Sequence, residues 1–189
     1  MELSIIFLPL IASIISGFFG KYIGDRNSEL ITSILVSISA FLSIFVLYQV
    51  IFNEYEENIV IATWINSGSL NVNWSMLIDP LSAVMLVVVT SVSSLVHIYS
   101  IGYMSHDPHK PRFMAYLSLF TFAMLMLVTS DNFLQLFFGW EGVGLCSYFL
   151  IGLWFKKESA NAAAIKAFVV NRVGDFGFAL GIFLIFYLF

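Results

Sequence analysis

Residues 132–155 read NFLQLFFGWEGVGLCSYFLIGLWF, an apolar run long enough to cross a bilayer as a helix. Glu141 lies near the middle of this run. A carboxylate at such a depth is costly in free energy, and in membrane proteins it usually marks a path for ions or protons. The next apolar stretch contains three more ionisable residues, Lys166, Arg172 and Asp175. This combination predicts a membrane transporter or pump.

The composition of the whole chain agrees with a membrane protein. Hydrophobic residues make up 60% of the sequence and charged residues 11%, with a mean hydropathy of +0.94. A soluble domain has about 25% charged residues. The net charge of -4 provides no basic surface for nucleic acid. Cys146, the single cysteine, cannot form an internal disulfide or hold a metal cluster by itself, and we interpret it as a buried packing residue.

Six apolar stretches predict an all-α bundle of six transmembrane helices. They are Leu3–Phe19, Leu30–Phe52, Pro80–Met104, Phe113–Ser130, Asn132–Phe155 and Ala160–Phe189. The first lacks the basic residues that precede the apolar region of a secretory signal, so we expect it to be retained. Asp79 should cap the third helix, with Pro80 at its first position.

The basic residues predict the orientation of this bundle. The first, third and fifth loops contain Lys21, Arg26, Lys110, Arg112, Lys156 and Lys157. The alternate loops contain no basic residue. Their acids include Glu54, Glu56, Glu57 and Asp131. This asymmetry predicts that the N-terminus lies outside and that the basic loops lie in the cytoplasm or matrix. Residues 53–79 should form an external β-hairpin with interfacial tryptophans, Trp64 and Trp74.

Two interpretations of Glu141 follow from its position. A neutral carboxyl that is hydrogen-bonded to a neighbouring helix would be a structural feature. A carboxyl that is tuned by a nearby cation can instead take up and release a proton. Gly139, Gly142 and Gly144 surround Glu141, and their small size lets helices approach closely or water reach the backbone.

The charges of the sixth span can be placed relative to one another. Arg172 and Asp175 are three residues apart and can pair within the helix, although a buried ion pair can also be purely structural. Lys166 lies nearer the basic loop, on roughly the opposite surface from Asp175. At ~1.5 Å per residue, Glu141 and Asp175 both lie ~21–23 Å from the basic ends of their helices. They should therefore lie at similar depth, while the sequence does not show whether they face each other.

The histidines give weaker predictions. His97, in the third span, is expected to be a hydrogen-bonded packing residue, and a proton relay is the alternative. His106 and His109 flank Asp107 and Pro108 and are interpreted as solvated loop residues rather than metal ligands. The sequence has no glycine-rich dinucleotide motif, phosphate loop or cysteine cluster, so we expect no cofactor and no metal on this chain.

Several motifs resemble those of one family of membrane subunits. Residues 138–148 (FGWEGVGLCSY), 162–168 (AAAIKAF) and 171–175 (NRVGD) are similar to the chain 5 (chain L) antiporter-like subunits of proton-pumping NADH:quinone oxidoreductase, respiratory complex I. Residues 79–82 (DPLS) and 97–104 (HIYSIGYM) resemble the same family. The large subunit of multisubunit Na⁺/H⁺ antiporters shares much of this pattern.

The resemblance implies a membrane-arm subunit that translocates protons while other subunits oxidise NADH and reduce quinone. It implies that Glu141 is the proton-handling carboxylate and that Lys166, Arg172 and Asp175 are embedded charges near the proton route. The implied partners are the other membrane-arm subunits and the lipid bilayer. The expected location is the bacterial plasma membrane, with the mitochondrial inner membrane as the alternative.

The resemblance also divides the chain. Residues 1–110 correspond to three N-terminal helices with the external loop, and residues 111–189 to the start of the antiporter-like translocating unit. Because family members are much longer, the chain is expected to be an N-terminal fragment without the lysine, on a later broken helix, that should partner Glu141. Two further hypotheses are a Na⁺/H⁺ antiporter subunit without a redox enzyme, and a fragment with only an assembly role in which Glu141 stays neutral.

Overall fold

Six long helices and a two-stranded hairpin make up most of the described residues. The computed structural model describes residues 1–53, 55–68 and 70–188. The helices are α1 (Glu2–Ile23), α2 (Asp25–Asn53), α3 (Pro80–Tyr103), α4 (Lys110–Val128), α5 (Phe133–Ile151) and α6 (Glu158–Leu188). Each is long and apolar enough to cross a membrane, which confirms the predicted all-α, six-span architecture. Two residues named in the predictions lie outside the described residues. They are Glu54, an acid of the second loop, and Phe189, the last residue of the predicted sixth span.

Local signals account for the helix boundaries that matter most for the site. The Asp79 carboxylate accepts a hydrogen bond from Ser82 N at 2.6 Å, and Pro80 begins α3, as predicted. Asn132 caps α5 in the same way through Gln135 N at 2.8 Å. A short 3₁₀ turn, Gly152–Trp154, ends α5 before α6 begins. The inside and outside positions of the loops stay predictions.

The two strands form the predicted hairpin. β1 (Glu57–Ser67) pairs antiparallel with β2 (Leu70–Ile78), from Glu57 opposite Ile78 to Ser67 opposite Leu70. Gly68 in the turn has a φ of 60°, a conformation that glycine adopts without steric cost. β2 is the more buried strand, because it packs on the helices while β1 is largely exposed.

The hairpin is attached to the N-terminus of α5. The Gln135 side chain imitates a neighbouring strand: its Nε2 donates to Ser75 O at 2.6 Å, and its Oε1 accepts from Ser75 N at 3.0 Å. Ser75 Oγ also donates to Asp131 Oδ2, and Asn132 Nδ2 donates to Asn73 O. These four hydrogen bonds fix the position of α5 relative to β2.

The helices pack in a definite order. α1 packs on α2 and α4, α2 packs on α3, α4 on α5, and α5 on α6. The main apolar core lies between β2 and the first four helices, around Ile5, Val46, Met76, Leu86 and Leu125. α6 packs on α5 and the 3₁₀ turn and leaves most of its surface exposed.

α5 meets α4 through its smallest residues. A Cβ atom on Gly139 would lie 2.7 Å from Leu127 Cα and 2.8 Å from Leu127 N, so only glycine fits at this position. One turn further along, a Cβ on Gly142 would lie 3.1 Å from Ala123 Cβ. Cys146 is buried, as expected for a packing residue. Because successive helical residues differ by ~100°, this contact turns Glu141 away from α4.

We expect Gly139→Ala to destabilise the protein by about 1–3 kcal/mol, because the new methyl group would overlap the α4 backbone. The measurement is the thermal unfolding temperature of the purified protein in detergent. Gly181→Ala in α6 is the matched control, since no atom lies within 4 Å of the Cβ it would add. Equal stability of the two variants would contradict the close α4–α5 contact.

Candidate functional site

The site is a cluster of three charges that joins α5 to α6. Arg172 Nη1 donates to Glu141 Oε1 at 2.5 Å across the two helices, and it lies 3.6 Å from Asp175 Oδ2 within α6. The predicted Arg172–Asp175 contact is therefore present. The contact between Glu141 and Arg172 is the feature that the sequence did not predict.

The three charged side chains differ in burial. Asp175 is the most buried, with 8% of its side chain exposed, against 23% for Glu141 and 47% for Arg172. The buried positions of α6 are Ala164, Asp175 and Ile182, which form one stripe that faces α5. A carboxylate thus occupies a position where the helix would otherwise place an apolar side chain.

Aromatic side chains complete the surroundings of the charges. The indole Nε1–H of Trp140 donates to Asp175 Oδ1 at 2.8 Å. The guanidinium carbon of Arg172 lies 4.6 Å from the ring centre of Phe168, a cation–π contact. Tyr148 lies 5.6 Å from the same ring. In the sequence, the one signal for Trp140 was its place next to Glu141, and Phe168 had no signal apart from its motif.

A cleft of about 200 Å³ opens beside the charges. Its lining includes Glu141, Arg172 and Asp175 together with the polar side chains Ser147 and Asn171. Since one water molecule occupies about 30 Å³ in the liquid, several would fit. The cleft is therefore large enough to hold water molecules beside the Glu141 carboxyl group.

The face of α5 opposite α4 brings these residues together. A Cβ on Gly144 would lie 3.7 Å from Asn171 Nδ2, which shows that Gly144 faces α6. Glu141, Gly144 and Tyr148 follow at intervals of three and four residues and share this face. The contact through Arg172 agrees with the predicted similar depth of Glu141 and Asp175.

The other candidate residues lie outside the cleft. Lys166 is exposed on α6, and within the described parts of the chain it forms no salt bridge. His97 is fully buried between α3 and α4, where its Nδ1 lies 2.8 Å from Ser93 O and its Nε2 lies 3.0 Å from Ser118 Oγ. This environment favours a packing role for His97.

The two loop histidines are not gathered into a metal centre. His106 is exposed, and the ring of His109 lies 6.1 Å from that of Phe155. Over residues 1–53, 55–68 and 70–188, no group of three or more histidine, cysteine or acidic side chains is placed to bind a metal ion.

A second tryptophan–carboxylate bond anchors the end of α5 that lies away from the hairpin. Trp154 Nε1 donates to Asp107 Oδ2 at 2.7 Å, and His109 N donates to Asp107 Oδ1 at 2.8 Å. Partial burial raises the pKa of Asp107, but these hydrogen bonds and the nearby charges of His109 and Lys157 outweigh it and hold the pKa below its usual value. The α3–α4 loop is thereby tied to the segment between α5 and α6.

Two family models match the chain. Residues 64–114 match a model described as NADH-Ubiquinone oxidoreductase (complex I), chain 5 N-terminus. Residues 130–189 match a model described as NADH:quinone oxidoreductase/Mrp antiporter, TM. The second match covers every residue of the charge cluster.

Similar sequences occur in eukaryotes and bacteria. NADH-ubiquinone oxidoreductase chain 5 of Triticum aestivum is 57% identical over 100% of this chain. NADH-quinone oxidoreductase subunit L of Rickettsia bellii is 52% identical over 99% of it. The chain spans only 28% and 29% of the length of these two relatives.

Two solved structures share the fold. The Mrp complex of Dietzia superposes with a TM-score of 0.75 at 22% identity, covering 95% of this chain and 18% of that one. An archaeal membrane-bound sulfane sulfur reductase gives a TM-score of 0.77 at 19% identity, covering 96% and 36% of the respective chains. At these identities the likeness concerns the fold alone.

We expect Arg172→Gln to lower stability by about 1–3 kcal/mol, because it leaves two acids without their shared cation. Combining it with Glu141→Gln should recover part of the loss, a coupling that a double-mutant cycle of unfolding temperatures measures. Lys166→Gln, which removes an exposed cation from the same helix, is the control. An equal loss of stability in Lys166→Gln would refute a specific role of Arg172. Strictly additive effects of Arg172→Gln and Glu141→Gln would refute the coupling between these two residues.

Proposed function

Because the chain belongs to the chain 5 (subunit L) family of NADH:quinone oxidoreductase, we propose that it acts in proton translocation across a membrane. The observation that supports this proposal most directly is the ion pair between Glu141 and Arg172, which borders a cleft large enough for water. In the proposed mechanism, Glu141 takes up and releases the proton, and Arg172 and Asp175 control when it does so. Lys166 would contribute a further charge near the route.

The net charge of the cluster favours the binding of one proton. Two ionised acids and one guanidinium give -2 + 1 = -1, so protonation of one acid makes the cluster neutral. A neutral group is more stable than a charged one in a low-dielectric region. The cluster can therefore alternate between a charged state and a protonated, neutral state.

A small movement of Arg172 is sufficient to drive this alternation. Its Nη1 lies 2.5 Å from Glu141 and only 3.6 Å from Asp175, so a side-chain rearrangement can move it from one acid to the other. Two unit charges at 4 Å interact by about 4 kcal/mol at an effective dielectric constant of 20, several times the thermal energy. Moving the guanidinium away from Glu141 removes that stabilisation of the carboxylate and favours the uptake of a proton.

In this proposal the energy for proton translocation comes from other subunits. Oxidation of NADH and reduction of quinone would occur on other subunits, and this chain would hold no redox cofactor. Its partners would be other membrane subunits of the complex, and conformational changes in them would displace Arg172. The protein has the character of a multi-pass membrane protein, and we place it in the membrane where NADH oxidation occurs, either the bacterial plasma membrane or the mitochondrial inner membrane.

Antiport of Na⁺ and H⁺ is a second candidate. One matching family model covers Mrp antiporters as well as the oxidoreductase, and the Dietzia Mrp complex shares the fold. Deletion of the gene separates the candidates. Loss of NADH-driven proton pumping supports the first, whereas salt-sensitive growth with pumping intact supports the second.

We expect Glu141→Gln, in the complete protein in its native membrane, to reduce NADH-driven proton uptake by about tenfold or more, because glutamine keeps the shape but cannot release a proton. The measurement is proton uptake by inverted membrane vesicles, normalised to the amount of assembled complex. Glu158→Gln, a change of an exposed glutamate at the start of α6, is the control.

Two results would count against the proposed role of Glu141. Normal uptake by Glu141→Gln vesicles at normal assembly would exclude it as the proton carrier. If Glu141→Gln leaves proton uptake, salt tolerance and growth all unchanged, the result would support the third hypothesis, in which the segment serves only assembly.

A further inference from the structure

Asp175 uses its two oxygen atoms in different ways. Its Oδ1 accepts a hydrogen bond from the Trp140 indole at 2.8 Å, while its Oδ2 lies 3.6 Å from the Arg172 guanidinium. The same guanidinium lies 2.5 Å from Glu141. Arg172 therefore faces two acids and is bound closely by only one of them.

The indole bond gives Asp175 a hydrogen-bond donor of its own. A buried carboxylate needs hydrogen-bond donors, and the Asp175 side chain is only 8% exposed. Trp140 supplies a donor that carries no charge, so Asp175 is partly satisfied without drawing Arg172 to itself. Arg172 is the only donor to the Glu141 carboxylate in the described part of the chain, and the guanidinium is left with that acid.

Aromatic contacts hold one side of the indole against α6, while half of the Trp140 surface is exposed. Its ring packs edge-on against Phe178 at 6.1 Å, and Phe178 also packs against Phe137 at 5.6 Å. Trp140 and Phe137 lie on α5 and Phe178 on α6, so the contact holds the two helices in register. Since an indole does not titrate, Trp140 exerts the same influence at every physiological pH.

Few other charged or titratable groups surround Glu141. α6 contributes Arg172 and Asp175 to the cleft, and Lys166 lies outside it. Glu141 is the only charged residue of α5, where Tyr148 shares its face. The charged residues of α4 are Lys110 and Arg112, which lie in its first turn and far from the Gly139 contact. Within the described part of the chain, Arg172 is therefore the cation that lies against Glu141.

We infer that Trp140 is a positioning residue: by holding Asp175 it keeps Arg172 on Glu141 and so sets the pH at which Glu141 takes up a proton. This inference rests on the proposed role of Glu141 in proton translocation. Without the indole, Oδ1 of Asp175 would lack its donor, and Asp175 would compete more strongly for Arg172. Glu141 would then lose its cation and bind a proton more readily.

The test measures protonation of Glu141 without measuring transport. Dicyclohexylcarbodiimide reacts with protonated carboxyl groups in apolar surroundings, and peptide mass spectrometry distinguishes modification of Glu141 from that of Asp175. In native membranes that contain the complete protein, we expect Trp140→Phe to move the pH of half-maximal Glu141 labelling upward by about one unit, a tenfold change in proton affinity. The phenylalanine keeps an aromatic ring and removes only the N–H donor.

Two control variants isolate the indole bond. Trp154→Phe removes the same kind of bond, to Asp107 in the α3–α4 loop, and should leave the labelling curve of Glu141 unchanged. In an Asp175→Asn background, Trp140→Phe should have no further effect, because the competing charge is gone. An unshifted curve for Trp140→Phe, an equal shift in Trp154→Phe, or a shift that persists with Asp175→Asn would overturn the inference.

A second variant keeps the inference testable if Trp140→Phe fails to fold. Asp175→Asn by itself removes the competitor for Arg172, so Glu141 should be labelled only at lower pH than in the unmodified protein. An unchanged or opposite shift would refute competition between the two acids. Proton uptake in Glu141→Gln vesicles tests the proposed function separately, because labelling depends on protonation and not on pumping.

Discussion

The close contact between α4 and α5 at Gly139 is the constraint on which the site depends. The backbone of Leu127 leaves no space for a side chain at this position, so α5 can pack on α4 only with its glycine face inward. Helical geometry then turns Glu141 and Trp140 towards the other side, where α6 lies. A membrane helix that packed through large side chains would have more freedom to rotate, and its single acid would have no defined partner.

The attachments at the two ends of α5 support the same arrangement. Gln135 and Asn132 join its N-terminus to β2, and Trp154 joins the turn after its C-terminus to Asp107. These bonds involve polar side chains at the ends of the helix, whereas Glu141 lies between them. The α3–α4 loop and the hairpin contribute no residue to the cleft and are joined to the two ends of α5.

One cation, Arg172, lies between two acids in the cluster, 2.5 Å from Glu141 and 3.6 Å from Asp175. Here Asp175 is more buried than Glu141 and has its own neutral donor, Trp140. In the proposed mechanism these unequal surroundings correspond to different roles, with Glu141 as the proton carrier and Asp175 as its competitor for the guanidinium.

Features that depend on local pattern could be predicted from the amino-acid sequence. The six spans, the capping of α3 by Asp79, the hairpin and the contact between Arg172 and Asp175 all follow from apolar length, residue type or a spacing of three residues. The family motifs predicted Glu141 as the central acid. The pairing of Arg172 with Glu141, the bond from Trp140 to Asp175, and the positions of Lys166 and His97 outside the cleft became visible only in the folded chain. These contacts depend on the rotation of α5 against α6, because that rotation is set by packing between α4 and α5 and by bonds to β2, 60 residues away in the chain.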